Sequence, residues 1–202
     1  MNPNLKVLLA GLAGGVVLFF WGFVSHMLLP LGEAGISTLT YEEELLPAIS
    51  KRVTKPGMYQ FPLPESSPGT PMPNNAEAME KATDMHKTSP HGLLLFHPPS
   101  GPFSMTPHLI VEFATNVVSS LIAAVLVCLT LGSLETFAKR MLFVTAIGLS
   151  AGIAVNVPYW NWYEYPTIFT LAQMADHCVG FALVGAVIAA IIKPAALKPA
   201  AG

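Results

Sequence analysis

The chain has 202 residues, 52% of them hydrophobic and 11% charged, with a net charge of −2 at neutral pH. Soluble domains carry about 25% charged residues, so the composition excludes an ordinary water-soluble domain, and the missing positive charge excludes a basic nucleic-acid surface. Mean hydropathy is +0.55, and several apolar runs exceed the ~18 residues that cross a bilayer. The prediction is an all-α membrane fold: a four-transmembrane-helix bundle with a small α+β extracytoplasmic insert between the first two helices.

In chain order, residues 1–30 hold the first span, an apolar run from Val7 to Leu29 that closes at Pro30. Signal-peptide cores are shorter, about 7–15 residues, and end at a small-x-small cleavage site. This run instead continues through His26, Met27 and Leu28, which predicts an uncleaved helix.

Residues 31–105 form the insert, polar and rich in proline. Thr40-Tyr41-Glu42-Glu43 has the form of a capping box, opening a short helix toward Lys51 in spite of Pro47. Asn74 or Asn75 caps a second helix from Ala76 to about His86. The short apolar runs Met58–Phe61 and Leu93–Phe96 each follow a glycine and are closed by proline, which predicts two edge strands able to pair. The stretch Pro62 to Pro73 reads as a surface loop. The insert is expected to rest on the outer mouth of the bundle.

Residues 106–202 hold the remaining spans and the tail. Thr106 as N-cap and Pro107 at the first helical position open the second span, which runs to Leu131. A link from Gly132 to Arg140 leads to the third, Met141 to Val157, stopped by Pro158. Tyr159, Trp160, Trp162, Tyr163 and Tyr165 then read as an interfacial aromatic belt. The fourth span, Thr167 to Ile192, ends at Lys193-Pro194. Lys6, Lys139, Arg140, Lys193 and Lys198 fall on one side, whereas the link Pro158–Pro166 has no Lys or Arg. The positive-inside rule therefore places both termini in the cytoplasm and the insert outside. Cys128 and Cys178 sit about 15 Å apart in depth by helical rise, beyond disulfide reach, and read as small buried hydrophobes.

Each span carries small or polar residues at the three-to-four-residue spacing of one helix face: Gly11, Gly15, Gly22 and His26; then His108, Glu112, Asn116 and Ser119 or Ser120. The third span offers Thr145, Gly148, Gly152 and Asn156, the fourth Thr170, Gln173, Asp176 with His177, and Gly180. Such stripes let helices approach closely and hydrogen-bond across the interface, so the simplest reading is four stripes facing one another. Glu112 and Asp176 ask for more, because a carboxylate in mid-span costs about 2.5–3.5 kcal/mol. Glu112 reads as one turn below the outer boundary, level with His26, and Asp176 as two turns deep. His26, His108, Glu112, Asn116, Asn156, Asp176 and His177 are thus the candidate polar cluster, structural or functional.

Motifs of high specificity are absent. His26, His108, Glu112, Asp176 and His177 have the ligand types for a metal, but from three helices and without HExxH. The insert's Met85, His86, His91 and His97, with Met105, have copper-ligand types at irregular spacing. Haem b at His26 or His177 is an alternative, although no CxxCH is present. There is no GxSxG, and Ser25 and His26, as sequence neighbours, are not expected to face each other on an α-helix. No cofactor is predicted; bound lipid is.

At Trp21-Gly22-Phe23, at HMLLPLGE (His26 to Glu33) and at Asn161-Trp162-Tyr163 with Pro166, the chain resembles uncharacterised small four-helix membrane proteins of bacteria. The resemblance implies a bacterial inner-membrane location and carries over no catalytic or binding residue. The expected function is non-catalytic: an accessory or structural subunit of a larger membrane complex, or a small homo-oligomer, with membrane lipids and other membrane subunits or itself as partners. The alternatives are a transporter of a small solute, ion or proton along the polar cluster, and an intramembrane lipid-modifying enzyme.

Overall fold

The computed structural model describes residues 2–63 and 75–194. Most of the predicted loop at 62–73, Asn74 and Lys198 lie outside the described residues. In order, the elements are α1 (Pro3–Phe23), a π-helical turn (Val24–Leu28), a 3-10 turn (Leu31–Glu33), α2 (Glu42–Arg52) and β1 (Gly57–Phe61). Then come α3 (Ala76–Thr88), β2 (Gly92–Phe96), α4 (Thr106–Leu129), α5 (Phe137–Tyr163) and α6 (Thr167–Ile191). The chain divides into two compact units, Met1–Ser37 with Phe103–Gly202, and Thr38–Pro102.

In the first unit, four helices among the described residues are long and apolar enough to cross a membrane: Pro3–Leu28, α4, α5 and α6. At about 1.5 Å per residue, even the shortest, with 24 residues, outreaches a hydrocarbon core of roughly 30 Å. They fit a multi-pass membrane protein. Their ends are set by local chemistry rather than by hydropathy. Asn2 caps α1, accepting from the Asn4 amide at 3.0 Å, so the helix begins before the apolar run does. α4 has Met105 at its N-cap and no side-chain cap bond; Thr106 and Pro107 are its first two helical residues, so the helix begins one residue earlier than predicted.

α5 departs most from expectation. Thr136 caps it through the Lys139 amide (3.2 Å), so the helix takes in Lys139 and Arg140 as well. It also runs through Pro158 to Tyr163. A proline removes one amide donor and crowds the preceding turn, but its fixed φ is helical, and here the helix has only five residues left. The true stop is Glu164 in the left-handed region (φ 56°), with the Tyr165 amide returning to the Tyr159 carbonyl at 3.4 Å.

Neighbouring helices pack antiparallel through small residues. A Cβ on Gly15 would lie 2.6 Å from the Val117 Cα, and one on Gly148 would run into the Phe181 side chain. The main pairings are α1 with α4 and α5 with α6, with α1 also lying along α6; α4 touches α5 and α6 only slightly. The helices therefore neighbour one another in the order α4–α1–α6–α5, and the polar stripes meet in pairs rather than all four together. Ala10, Ala123, Ala124, Val127, Val144, Val184 and Ile188 form the apolar core. All lie toward the end where α1 and α5 begin and α4 and α6 finish. Toward the other end the buried polar residues are Ser25, Asn116, Asn156 and Thr170, beside the small Gly152 and Ala172.

At that polar end the chain leaves α1 through the π turn. Gly35 has φ +80°, and a Cβ there would lie 2.8 Å from Ile168 and 3.2 Å from the Phe169 amide. Only glycine meets both demands, and it lets the segment after the 3-10 turn press against the first turn of α6.

In the second unit, β1 and β2 pair antiparallel from Gly57↔Phe96 to Phe61↔Gly92, as the two predicted runs require. Asn75 caps α3, accepting from the Ala78 amide at 2.8 Å. The capping box on α2 does not form: Tyr41, in a left-handed conformation (φ 59°), is the N-cap, with no side-chain cap bond. Helix α2 passes through Pro47 as expected.

Candidate functional site

The candidate residues are built from the polar end of the helical unit. In the π turn, the Leu29 amide reaches back five residues to the Val24 carbonyl at 3.0 Å. That wider turn brings Ser25 and His26 toward one carbonyl. Ser25 Oγ donates to Gly22 O at 3.2 Å, and His26 Nδ1 lies 2.9 Å from Ser25 Oγ and 3.0 Å from Gly22 O. The expectation that these neighbours do not meet is thus corrected, because it assumed α-helical geometry. With its proton on Nδ1, the imidazole donates into the same carbonyl as the serine. Ser25 is 0% exposed, so the pair presents no nucleophile. His26 itself is exposed, and Gly32 leaves the room its ring occupies.

On α4, Glu112 accepts from Asn116 Nδ2 at 3.1 Å. His108 stacks on Phe103 with ring centroids 5.4 Å apart. His108 and Glu112 share a face one turn apart, yet the bonds each makes are to Phe103 and Asn116 rather than to each other. Asn116 is buried, whereas residues 107–115 are exposed on every side.

On α6 the two adjacent candidates diverge. His177 Nδ1 bonds its own helix at Gln173 O, 2.8 Å away, and faces α5, where a Cβ on Gly152 would lie 3.3 Å from its own. Asn156 of α5 likewise bonds within its helix, to Gly152 O at 2.9 Å. Next to His177, the Asp176 carbonyl takes the Trp21 Nε1 proton of α1 at 3.2 Å. Its carboxyl oxygen Oδ1 is buried with no hydrogen-bond partner among the described residues.

Depth follows from the antiparallel register. Gly22 approaches Glu112, and Gly180 approaches Leu18 and Trp21, so Glu112 and Asp176 both lie at the level of residues 21–22. They share a depth, about one turn further in than His26, which corrects the placement of Glu112 level with His26. The structure therefore brings together Ser25 with His26, and Glu112 with Asn116, and leaves Asp176, His177 and Asn156 bonded locally or not at all. Among the described residues no group of three His, Cys, Asp or Glu side chains is placed to hold a metal ion. Of the histidines in the second unit, His86 and His91 stack at 5.1 Å. Cys128 and Cys178 are free and half-buried.

Three of the five belt residues, Tyr159, Tyr163 and Tyr165, join Phe169 in one aromatic chain across the α5–α6 turn. Tyr159 stacks near Tyr163 at 5.7 Å and Tyr165 at 5.4 Å, and Tyr165 meets Phe169 edge-on at 5.6 Å. Trp160 Nε1 donates to Thr167 Oγ1 at 3.1 Å, tying the end of α5 to the start of α6, while Trp162 is 75% exposed. Four of the five lie within helix α5 rather than after it, because the helix continues past Pro158.

One residue that matters was read from sequence only as a topological charge. Arg140 is 4% exposed. Its Nη1 donates to the Leu134 and Glu135 carbonyls, each at 2.9 Å, and Nη2 to the Ala189 carbonyl at 3.3 Å. Ala189 is in the last turn of α6, where carbonyls lack helical partners and a cation is favoured.

Comparison of the chain with protein-family models, with curated proteins and with solved structures finds no match in any of the three.

Proposed function

We propose that this protein is a non-catalytic, multi-pass subunit of a membrane assembly, docked to other chains through its uncovered helix faces. The observation that carries the reading is Glu112. It stands on the exposed half of α4 among Leu109, Ile110, Val111 and Phe113, where lipid would cost a carboxylate about 2.5–3.5 kcal/mol. A second protein surface at that position removes the cost. Such a protein lies in the bacterial inner membrane with residues 38–102 outside and both termini cytoplasmic. Lys6, Lys139 and Lys193 support that orientation, with Arg140 withdrawn into the fold.

The test is purification from native membranes in mild detergent, with the mass of the particle and the identity of every co-purifying chain. We expect a particle heavier than one chain plus its detergent. A monomer without partners, both in detergent and after cross-linking in the membrane, would sink the reading. Cysteine labelling by an impermeant reagent tests orientation: Asp84→Cys is labelled from outside, Glu135→Cys only after the membrane is opened.

Asp176 supports a second reading, passage of a small cation or proton along α6. A buried carboxyl oxygen without a donor is a natural stop for such a species. In proteoliposomes with a pH or cation gradient, flux lost in Asp176→Asn and kept in Asp84→Asn is the expected result. Absence of flux in the unmodified protein removes this reading.

A further inference from the structure

Helix α2 is amphipathic and stands without support. Leu45, Leu46 and Ile49 fall within about 100° of its circumference, at the period of one helix face, while Glu43, Glu44 and Lys51 fall on the other side. Leu45 is 40% and Leu46 50% exposed, and no residue of the helix is buried. Among the described residues no other element packs substantially against it. The helix has 11 residues, no side-chain cap bond and Pro47 inside it, whereas an isolated helix shorter than about 12–15 residues is marginal in water. A surface must therefore support its apolar face.

Chain connectivity names that surface. Gly35 presses against Ile168 and the Phe169 amide in the first turn of α6, at the mouth of a spanning helix and next to the aromatic belt. Ser37 ends the helical unit, and only Thr38 to Tyr41 separate it from α2. The Cα steps from Ser37 to Glu42 reach at most about 18 Å, so α2 starts within reach of the headgroup layer. Both connections between the units also carry large apolar side chains that are at least half exposed: Leu39 and Tyr41 on the way out, Phe103 and Met105 on the return to α4. Aromatic side chains collect at such a boundary between lipid and water.

We propose that α2 lies in the plane of the membrane surface, with Leu45, Leu46 and Ile49 between the headgroups and acyl chains of the leaflet where α4 and α6 begin. Charged residues open and close the helix, at Glu42, Glu43 and Glu44 and at Lys51 and Arg52, which suits a helix lying on a bilayer rather than across it. Arg52 borders the apolar face, where its guanidinium meets lipid phosphates. Glu42 falls on the apolar side, but at the first helical position, where the helix dipole favours a carboxylate. The proposal needs only that the four long helices span, and it is independent of the subunit reading.

The experiment uses the full-length protein in liposomes of phosphatidylcholine and phosphatidylglycerol, with Cys128→Ser and Cys178→Ala so that each added thiol is single. A nitroxide attached at Leu46→Cys or Lys51→Cys reports collisions with oxygen, which concentrates among acyl chains, and with a water-soluble nickel chelate present on both sides. The oxygen-to-nickel ratio at position 46 should exceed that at position 51 about tenfold, as a face sunk roughly 5–10 Å into the boundary requires. Equal ratios overturn the proposal. Low collision with both reagents at position 46 overturns it too, because a protein surface then covers the face. Since a label can disturb a short helix, amide hydrogen exchange of the unlabelled protein is the second arm. The α2 amides should be protected in liposomes, and Leu45→Ser, Leu46→Ser and Ile49→Ser together should remove about tenfold or more of that protection while the spanning helices keep theirs. Unprotected α2 amides in the parent, or protection unchanged by the three serines, overturn the proposal.

Discussion

Each end of the helical unit buries polar atoms of a charge-bearing side chain, and the two ends treat them differently. At the end where α5 begins, Arg140 places two nitrogens on three carbonyls, two in the α4–α5 link and one in the last turn of α6. The apolar core, from Ala10 to Ile188, lies toward the same end. At the other end Asp176 has a buried carboxyl oxygen with no donor, among buried residues that are mostly polar and satisfied within their own helices. A buried charge is stable only when its hydrogen-bonding capacity is met. Arg140 Nε also lacks a partner among the described residues, so the ends differ in degree: one holds its charge by bonds to the link and to α6, and the other leaves Asp176 Oδ1 with none.

The largest effect expected from breaking this contrast is at Arg140. Arg140→Met keeps much of the side chain's volume and strands three carbonyls, two of them in the α4–α5 link. We expect a loss of about 3 kcal/mol or more, since each charged hydrogen bond contributes about 1.5–3 kcal/mol. Arg140→Lys should recover less than half, because a point charge does not reproduce the planar fork. Denaturant titration in mixed micelles, followed by tryptophan fluorescence, measures both. A Met variant as stable as the parent would show that the carbonyls find other donors and that the clamp is unimportant.

Next comes the close contact that joins the ends. Gly15→Leu drives a side chain into the backbone of Val117 and must push α1 from α4, at a cost of about 1–3 kcal/mol typical of overpacking. Gly132→Leu, with nothing within 4 Å of its Cβ position, is the control and should leave the unfolding midpoint unchanged. Equal midpoints for the two variants would mean that α1 and α4 are not held by this approach.

How much of this was legible beforehand differs between the two ends for physical reasons. Four helices of spanning length follow from run length alone, since apolar residues without interruption have few other fates. The paired strands Gly57–Phe61 and Gly92–Phe96 and the Asn75 cap were legible because their signals are local. Pro158 misled, because a proline near a helix end costs only one bond and a left-handed Glu164 supplied the stop. The Thr40 box misled because Tyr41 adopts a left-handed turn that no pattern announces. Arg140 read as a flanking charge because sequence gives its depth but not its direction. For the polar cluster, spacing put the residues on faces, yet which face meets which neighbour depends on tertiary packing. Hence the order α4–α1–α6–α5, the division of Asp176 from His177, and the π turn joining Ser25 to His26 were beyond reach.

Asp176 should respond with the opposite sign to Arg140. Replacing a half-buried carboxyl whose Oδ1 is buried without a partner among the described residues by a hydrocarbon of similar volume removes an unmet desolvation cost, which protein substitutions put at about 1–3 kcal/mol. Part of that is offset by imperfect packing, so Asp176→Leu should be more stable by roughly 1 kcal/mol. The same titration checks it. Destabilisation comparable to Arg140→Met would show that Asp176 is held by a partner in the membrane, and the contrast between the ends would vanish.

The smallest effect concerns the π turn. A Cβ on Gly32 would occupy the space of the His26 ring, so Gly32→Ala should dislodge the imidazole from Ser25 Oγ and Gly22 O. Both acceptors remain near other groups and His26 is exposed, so the cost should be about 1 kcal/mol or less, the net worth of one ordinary hydrogen bond. Stability alone would not separate this from a trivial change. The nitrogen-15 resonances of His26 do: the Nδ1–H tautomer that a bond to the Gly22 carbonyl requires should give way to the solvated mixture of free histidine. If the spectrum is unchanged, the ring is not held by the turn, and the polar end loses the one contact that ties its exposed histidine to the buried Ser25.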